Sequence, residues 1–192
     1  MGKVESNVFI FHGTGGFPGE NWFPWMKDQL EQKGCKVTVP QFPTPEGQSL
    51  KAWLKVMEPY ISEINENTLL IAHSLGSIFL LRFLERLKTP VRAAFFVGAP
   101  VGVEPIKNWE SDSKFSGGFE FDWVNIRTKA KDFIVFHSDT DPYVHLGNGQ
   151  KLAQKLGVDL TFIPNSGHFN TAAGYSQFPQ LLEKVENVLV KK

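Results

Sequence analysis

Short apolar runs alternate along the chain with longer stretches in which apolar residues recur at helical spacing. This alternation is typical of βαβ units, in which helices connect neighbouring strands of a parallel sheet. Several runs are almost continuously apolar, as expected of strands that are covered on both faces. The pattern predicts an α/β fold, a three-layer sandwich around a mainly parallel sheet of about six strands. The predicted strands are residues 7–11, 36–39, 68–72, 92–97, 132–136 and 159–163.

Five stretches between these runs have the spacing of amphipathic helices. In the last of them, Leu181, Val185 and Val188 fall on one apolar face. The third is apolar nearly all round at its start, so we expect it to lie near the middle of the sheet. The predicted helices are residues 22–33, 50–64, 77–87, 146–156 and 175–190.

Residues 101–127 break this rhythm, because the stretch is too long for an ordinary connection in a βα unit. Long connections inside compact domains are often functional. Two interpretations stay open, a small lid over a site or a loop that packs its own aromatic side chains. We otherwise expect one domain over residues 1–192, since this length suits a single α/β domain. The aromatic residues of the insertion are Trp109, Phe115, Phe119, Phe121 and Trp123.

Composition excludes several classes of protein. The chain has 20 Lys and Arg against 20 Asp and Glu, so it lacks the basic field that nucleic-acid binding requires. No apolar run is long enough to span a bilayer, and the N-terminus lacks the features of a signal peptide. We therefore expect a cytoplasmic protein without a membrane partner. The lone Cys35 cannot form an intramolecular disulfide and is interpreted as a small buried residue. No metal or organic cofactor is expected.

The segment LLIAHSLGSIFLL places Ser74 between a predicted strand and a predicted helix. Ala72 lies two residues before it, in place of the usual glycine, and Gly76 lies two residues after it. Small flanking residues let the strand and the helix approach each other while the serine hydroxyl projects outward. The short motif alone is weak, but the strand and helix around it are the context that it requires. We predict that Ser74 is the nucleophile of a nucleophile elbow.

A serine hydroxyl needs a general base and a carboxylate that orients the base. In α/β hydrolases the acid and then the histidine follow the serine, on loops at the ends of strands. His168 is the predicted base, because His145 lies only four residues beyond Asp141. Asp141 is the preferred acid because a proline follows it and fixes the chain, and Asp139 is the alternative. The remaining histidines precede both acids: His12, His73 and His137.

The loop after the first strand reads FHGTGGFPG. A tetrahedral oxyanion needs two backbone N–H donors, and we predict those of Thr14 and Leu75. The same loop lacks G-x-G-x-x-G spacing and no acidic residue closes the second strand, which excludes a dinucleotide-binding turn. The candidate substrate-pocket residues are His12, Gly13, Trp22, Trp109 and Trp123.

Six segments together resemble the small α/β-hydrolase-fold proteins of the retinoblastoma-binding protein nine and YdeN type, which are serine hydrolases. The resemblance covers nearly the whole chain. It implies an α/β-hydrolase fold whose sheet lacks the first two strands of larger relatives, with Ser74, Asp141 and His168 as the triad. The segments are HGTGG, NWFPWMKDQLEQKG, VTVPQFPTP, AHSLG, HSDTDPYV and SGH.

The expected function is hydrolysis of small-molecule carboxylic esters, with thioesters or amides as further substrates, through an acyl-enzyme. Two alternatives stay open, a protein-binding or scaffolding member of the fold with little turnover and a small serine peptidase. A peptidase would need to recognise a free amino terminus. Acidic residues of the insertion could do so, although a solvated loop surface is the favoured interpretation of them: Glu104, Glu110, Asp112, Glu120 and Asp122. No protein partner is predicted.

Overall fold

A computed structural model describes residues 6–191 of the chain. Residues 1–5, part of the segment interpreted as lacking a signal sequence, and residue 192 lie outside the described residues. Within them, six strands form one sheet in the order β2-β1-β3-β4-β5-β6, and every neighbouring pair is parallel. The strands are β1 (Asn7–Phe11), β2 (Lys36–Thr38), β3 (Leu69–His73), β4 (Val91–Val97), β5 (Ala130–His137) and β6 (Leu160–Phe162).

Helices cover both faces of this sheet, as its apolar strands predict. They are α1 (Phe23–Gln32), α2 (Leu50–Met57), α3 (Leu75–Leu84), α4 (Trp109–Ser116), α5 (Trp123–Arg127), α6 (Gly147–Leu156) and α7 (Pro179–Val190). Across residues 6–191, none of these helices combines the length and the apolar character needed to cross a membrane.

Alternate side chains of β1 show how the two layers of core arise. Val8 and Ile10 pack on one face of the sheet with α1 and α7, whereas Phe9 and Phe11 pack on the other face with α2 and α3. Successive side chains of a strand point to opposite faces, so a strand in the middle of a sandwich must be apolar at every position. The strands are continuously apolar in the sequence because both of their faces are buried.

Two predicted helices are shorter than expected, and proline explains both. The helix predicted over residues 50–64 ends as α-helix at Met57 and continues as a 3-10 turn over Glu58–Glu63. Pro59 lies in this turn and has no N–H to donate to the preceding turn of an α-helix. The last helix begins at Pro179 instead of residue 175, because the residue before a proline avoids the helical conformation.

The insertion folds as two short helices, which its sequence pattern did not predict. Phe115, Phe119 and Phe121 are buried in the same core as α3. Gly117 and Gly118 have φ of 68° and 82° and end α4 in the left-handed region that glycine adopts without strain. The phenylalanine side chains of the insertion thus pack inward against the core.

Candidate active site

Ser74 lies in the sharp turn between β3 and α3. Its φ of 55° and ψ of −127° put a non-glycine residue at positive φ, a conformation that persists only where the surroundings impose it. Its N–H donates to Val97 O at 2.9 Å, which ties the turn to β4. A Cβ on Gly76 would lie 2.5 Å from Phe11 O, so only glycine lets α3 begin this close to β1. The turn has the geometry of a nucleophile elbow.

His168 and Asp141 form a buried pair. His168 Nδ1 donates to Asp141 Oδ2 at 2.6 Å, and this assignment leaves His168 Nε2 as the nitrogen able to accept a proton. The N–H groups of Tyr143 and Val144 donate to Asp141 Oδ1 at 2.9 and 3.0 Å. Burial acts to raise the pKa of Asp141, but His168 and these two amides outweigh it and hold the pKa below its usual value. Asp141 is therefore charged at neutral pH.

The loop that carries His168 is fixed from two sides. His73, the residue before Ser74, donates from Nε2 to the backbone oxygen of His168 at 2.7 Å. Burial first, and the charge of His168 second, lower the pKa of His73 to about 3, so it remains neutral. On the other side, three N–H groups of this loop donate to the loop after β5: Asn165 to Asp139 Oδ1 at 2.8 Å, Ser166 to Ser138 Oγ at 2.9 Å, and Gly167 to Thr140 Oγ1 at 3.0 Å.

The glycine loop after β1 passes directly beside Ser74. A Cβ on Gly13 would lie 2.8 Å from Ser74 Cβ. The N–H of Gly15 donates to Thr44 Oγ1 at 2.7 Å and the N–H of Gly16 donates to Gly13 O at 3.1 Å. Among residues 6–191, the N–H of Thr14 has no acceptor.

The second predicted donor, the N–H of Leu75, belongs to the first residue of α3. N–H groups in the first turn of a helix have no intrahelical acceptor. The N–H groups of Thr14 and Leu75 thus have no acceptor among residues 6–191.

Ser74 and His168 line one cleft of about 290 Å³. Further side chains of this cleft come from the insertion and from the loops after β1 and β5, and most of them are polar: Glu20, Asn21, Lys107, Asn108, Asp112 and Tyr143. The structure thus brings together a serine in an elbow turn, a histidine paired with a carboxylate and backbone N–H groups without acceptors, which are the kinds of group that acyl transfer requires.

Comparison with known proteins agrees with this geometry. The family model described as serine hydrolase matches residues 8–187. The chain belongs to the serine hydrolase family. It is 29% identical to YdeN of Bacillus subtilis (strain 168) over 189 residues, which cover 98% of this chain and 99% of that protein. It is 27% identical to the serine hydrolase RBBP9 of Rattus norvegicus over 179 residues, which cover 93% and 91%.

Solved structures place this serine hydrolase in the α/β-hydrolase fold. The crystal structure of the ydeN gene product from B. subtilis matches it with a TM-score of 0.90 over 97% of this chain and 100% of that chain. The esterase domain of a Rhodothermus marinus protein matches with a TM-score of 0.69 at 16% identity, over 96% and 88% of the two chains, which shows a shared fold. The predicted fold class and family are confirmed.

The structure corrects the predicted pocket. Of its five residues, Gly13 lines the cleft, but His12 and Trp22 are fully buried. His12 donates from Nδ1 to Gly13 O and accepts at Nε2 from the N–H of Phe42, so it shapes the glycine loop from behind. Trp109 and Trp123 pack against the core beside Phe119 and Phe121. Large aromatic surfaces gain more from burial in the core than from a polar cleft.

Asp112 was grouped in the sequence with solvated acidic residues, and the structure places it in the cleft. Only 4% of its surface is exposed. The signal that could have found it is helical spacing, because Asp112 lies on the same buried face of α4 as Phe115 and Ser116. An acidic residue at a core-facing position of an amphipathic helix is unusual. The other four acidic residues of the insertion are exposed, as expected: Glu104, Glu110, Glu120 and Asp122.

Proposed function

We propose that this serine hydrolase cleaves carboxylic esters through an acyl-enzyme, with Ser74 as nucleophile, His168 as general base and acid, and Asp141 as the group that orients His168. Thioesters and small amides are further candidate substrates, since the fold alone does not select among acyl donors. The observation that carries the proposal is the placement of an elbow serine at positive φ in the same cleft as a histidine paired with a buried carboxylate.

In the first half of the reaction, Ser74 Oγ forms a bond to the ester carbonyl carbon while His168 Nε2 takes the hydroxyl proton. The carbonyl oxygen becomes an oxyanion, which accepts hydrogen bonds from the N–H groups of Thr14 and Leu75. The imidazolium of His168 is stabilised by Asp141. It then gives the proton to the leaving alkoxide as the carbon–oxygen bond breaks, which leaves the acyl group on Ser74.

In the second half, His168 Nε2 takes a proton from water, and the water oxygen bonds to the acyl carbon. The collapse of this intermediate returns the proton from His168 to Ser74 Oγ and releases the acid. Among the described residues, Ser74 Oγ has no hydrogen bond to His168. Contacts of this kind often tighten only when the substrate is bound.

The test is intact-mass analysis after treatment with a fluorophosphonate probe, together with the rate of p-nitrophenyl acetate hydrolysis. We expect one probe adduct on the wild-type protein and none on Ser74→Ala or His168→Ala, because a phosphonyl group reacts only with an activated serine. The value of kcat should fall roughly 10⁴- to 10⁶-fold in Ser74→Ala.

Circular dichroism of each variant is the control for folding. If Ser74→Ala were labelled or retained wild-type activity, the assignment of the nucleophile would be wrong. If folded wild-type protein neither reacted with the probe nor hydrolysed any ester, the binding-protein alternative would replace this proposal.

A further inference from the structure

Asp112, an acidic residue of the insertion, lines the cleft and forms no ion pair with a basic side chain of residues 6–191. Its Oδ1 receives a 3.3 Å hydrogen bond from Ser111 Oγ, and its Oδ2 accepts none from the described residues. Lys107, the lysine that lines the same cleft, places its Nζ 4.6 Å over the ring of Tyr143. A buried carboxylate without an ion pair is costly, and a bound cation removes much of this cost.

The charge state of Asp112 agrees with such a role. Burial raises its pKa to about 6, against the smaller opposing effects of Ser111 and His168. At neutral pH most of the molecules therefore hold a charged, poorly solvated carboxylate beside the reacting groups. Asp112 lines the same cleft as Ser74 and His168, where the acyl bond would be cleaved.

A second carboxyl group, that of Glu20, adds negative charge to the cleft. Glu20, from the loop after β1, lines the cleft and is half-buried. Burial raises its pKa, an effect that a hydrogen bond from the backbone of Phe17 partly offsets. With two carboxyl groups against Lys107, the cleft attracts cations more than neutral or anionic groups.

We infer that Asp112 binds a protonated amine that the substrate carries close to its scissile carbonyl. The inference rests on the proposed function and names a substrate class for it, esters and amides with an ammonium group on the acyl or the leaving side. An ammonium group brings N–H donors for Asp112 Oδ2 and the opposite charge. Asp112 is then a specificity-determining residue, and the bond-making steps remain those of Ser74 and His168.

Two pairs of esters of nearly equal shape test this at pH 7. Alanine benzyl ester against benzyl 2-methylpropanoate, in which a methyl group replaces the ammonium group, places the amine on the acyl side. Benzoate esters of 2-(dimethylamino)ethanol and 3-methylbutanol place it on the leaving side. We expect the wild-type protein to prefer the amine-bearing ester of at least one pair by about 10- to 100-fold in kcat/KM, the usual range for a hydrogen bond to a charged group.

Asp112→Asn should lose this preference, because the amide keeps the shape of the carboxylate but not its charge. The value of kcat/KM for the amine-bearing ester should therefore fall about 10- to 100-fold more than that for its neutral partner. Glu110→Gln is the matched control, because it removes a carboxylate from an exposed position of the same helix. It should keep the preference. A wild-type protein without preference in either pair would overturn the inference. An equal loss of kcat/KM for the amine-bearing and the neutral ester in Asp112→Asn would also overturn the inference. That result would mean that Asp112 acts on His168 and not on the amine of the substrate.

Calorimetric binding to Ser74→Ala separates this inference from the proposed function, because it needs no turnover. We expect Ser74→Ala to bind an amine-bearing ester at least tenfold more tightly than its neutral partner. The double variant Ser74→Ala/Asp112→Asn should bind the two equally. If the wild-type protein were not labelled by the fluorophosphonate probe but Ser74→Ala still bound the amine-bearing ester more tightly, only the catalytic proposal would be rejected. Equal affinities in Ser74→Ala would reject the role of Asp112.

Discussion

Two aspartates that are two residues apart have different partners. Asp141 is nearly buried and holds the imidazole of His168, with two backbone amides on its other oxygen. Asp139 is exposed, and its Oδ1 accepts from the N–H of Asn165 in the loop that carries His168. Asp139 therefore supports the position of the loop, whereas Asp141 sets the orientation and tautomer of the ring.

This difference predicts unequal effects of the same substitution. Asp141→Asn should lower kcat for ester hydrolysis by about 10³- to 10⁴-fold, because an amide favours the wrong tautomer of His168. Asp139→Asn keeps an oxygen acceptor for Asn165 and should cost less than about tenfold. Steady-state kinetics with p-nitrophenyl acetate measure both. The opposite order would show that Asp139 is the orienting acid.

At the scale of elements, one arginine of α3 ties the insertion to the body of the protein. Arg82 donates from Nε to Ser116 O at 2.9 Å and also binds Glu120 O. It pairs with Glu85 at 2.9 Å, and its guanidinium lies 4.5 Å from the centre of the Phe121 ring. Only 14% of the Arg82 side chain is exposed. Asp112 lies in the part of the insertion that lines the cleft. The contacts of Arg82 with Ser116, Glu120 and Phe121 thus help to hold this part of the insertion in place.

Arg82→Ala should lower the free energy of unfolding by roughly 2–4 kcal/mol, because it removes the ion pair of the largely buried Glu85 carboxylate and leaves two carbonyl groups without this donor. Arg86→Ala is the control on the same helix, since 48% of the Arg86 side chain is exposed. It should change stability by less than about 0.5 kcal/mol. Urea unfolding of both variants gives the two values. Equal decreases in the free energy of unfolding for the two variants would mean that the hydrogen bonds and the ion pair of Arg82 do not stabilise the protein more than the contacts of Arg86.

At the scale of the whole molecule, three buried histidines make the fold sensitive to acid. Burial lowers the pKa of His12, His73 and His137 below the ordinary value of 6.5. His137 donates from Nε2 to Val144 O at 2.9 Å, and its buried Nδ1 has no partner within residues 6–191. A second proton on this ring would therefore have no acceptor.

These groups bind protons more readily in the unfolded chain. The stability that they give is present above pH 6.5 and is lost as the pH falls from 6.5 toward their lowered pKa values, about 3 for His73. Each net proton taken up on unfolding contributes up to about 1.4 kcal/mol per pH unit. Asp112 acts in the opposite sense, because its raised pKa of about 6 favours protonation in the folded state. Glu20, whose pKa is also raised by burial, acts in the same sense as Asp112. Three histidines outweigh these two carboxyl groups.

We therefore expect the free energy of unfolding, measured in urea between pH 7.5 and 5, to decrease with falling pH. The variant Asp112→Asn removes one of the opposing contributions, so its free energy of unfolding should fall more steeply over the same pH range. A flat or rising profile for the wild-type protein would contradict the neutral state of the buried histidines.

The features that the sequence predicted by itself are those with a local cause. Strands covered on both faces must be apolar throughout, so the six strands were visible as runs, with ends within two residues of the observed ones. A serine turn between strand and helix requires small neighbours on either side, which Ala72 and Gly76 provide. His168 lies in the loop after the last strand. A parallel sheet brings the carboxyl ends of its strands to one edge, so this loop was expected near Ser74.

Tertiary structure alone decided the features that depend on distant neighbours. Asp139 and Asp141 both fit the motif, and the 2.6 Å contact of His168 with Asp141 distinguishes them. The tryptophans of the insertion lie against the core because the phenylalanines beside them insert there. Asp112 was one of five acidic residues in the insertion, and the packing of α4 on α3 places it at the cleft. The chemical groups could be read from the chain, but their surroundings depend on which segments pack together in the folded protein.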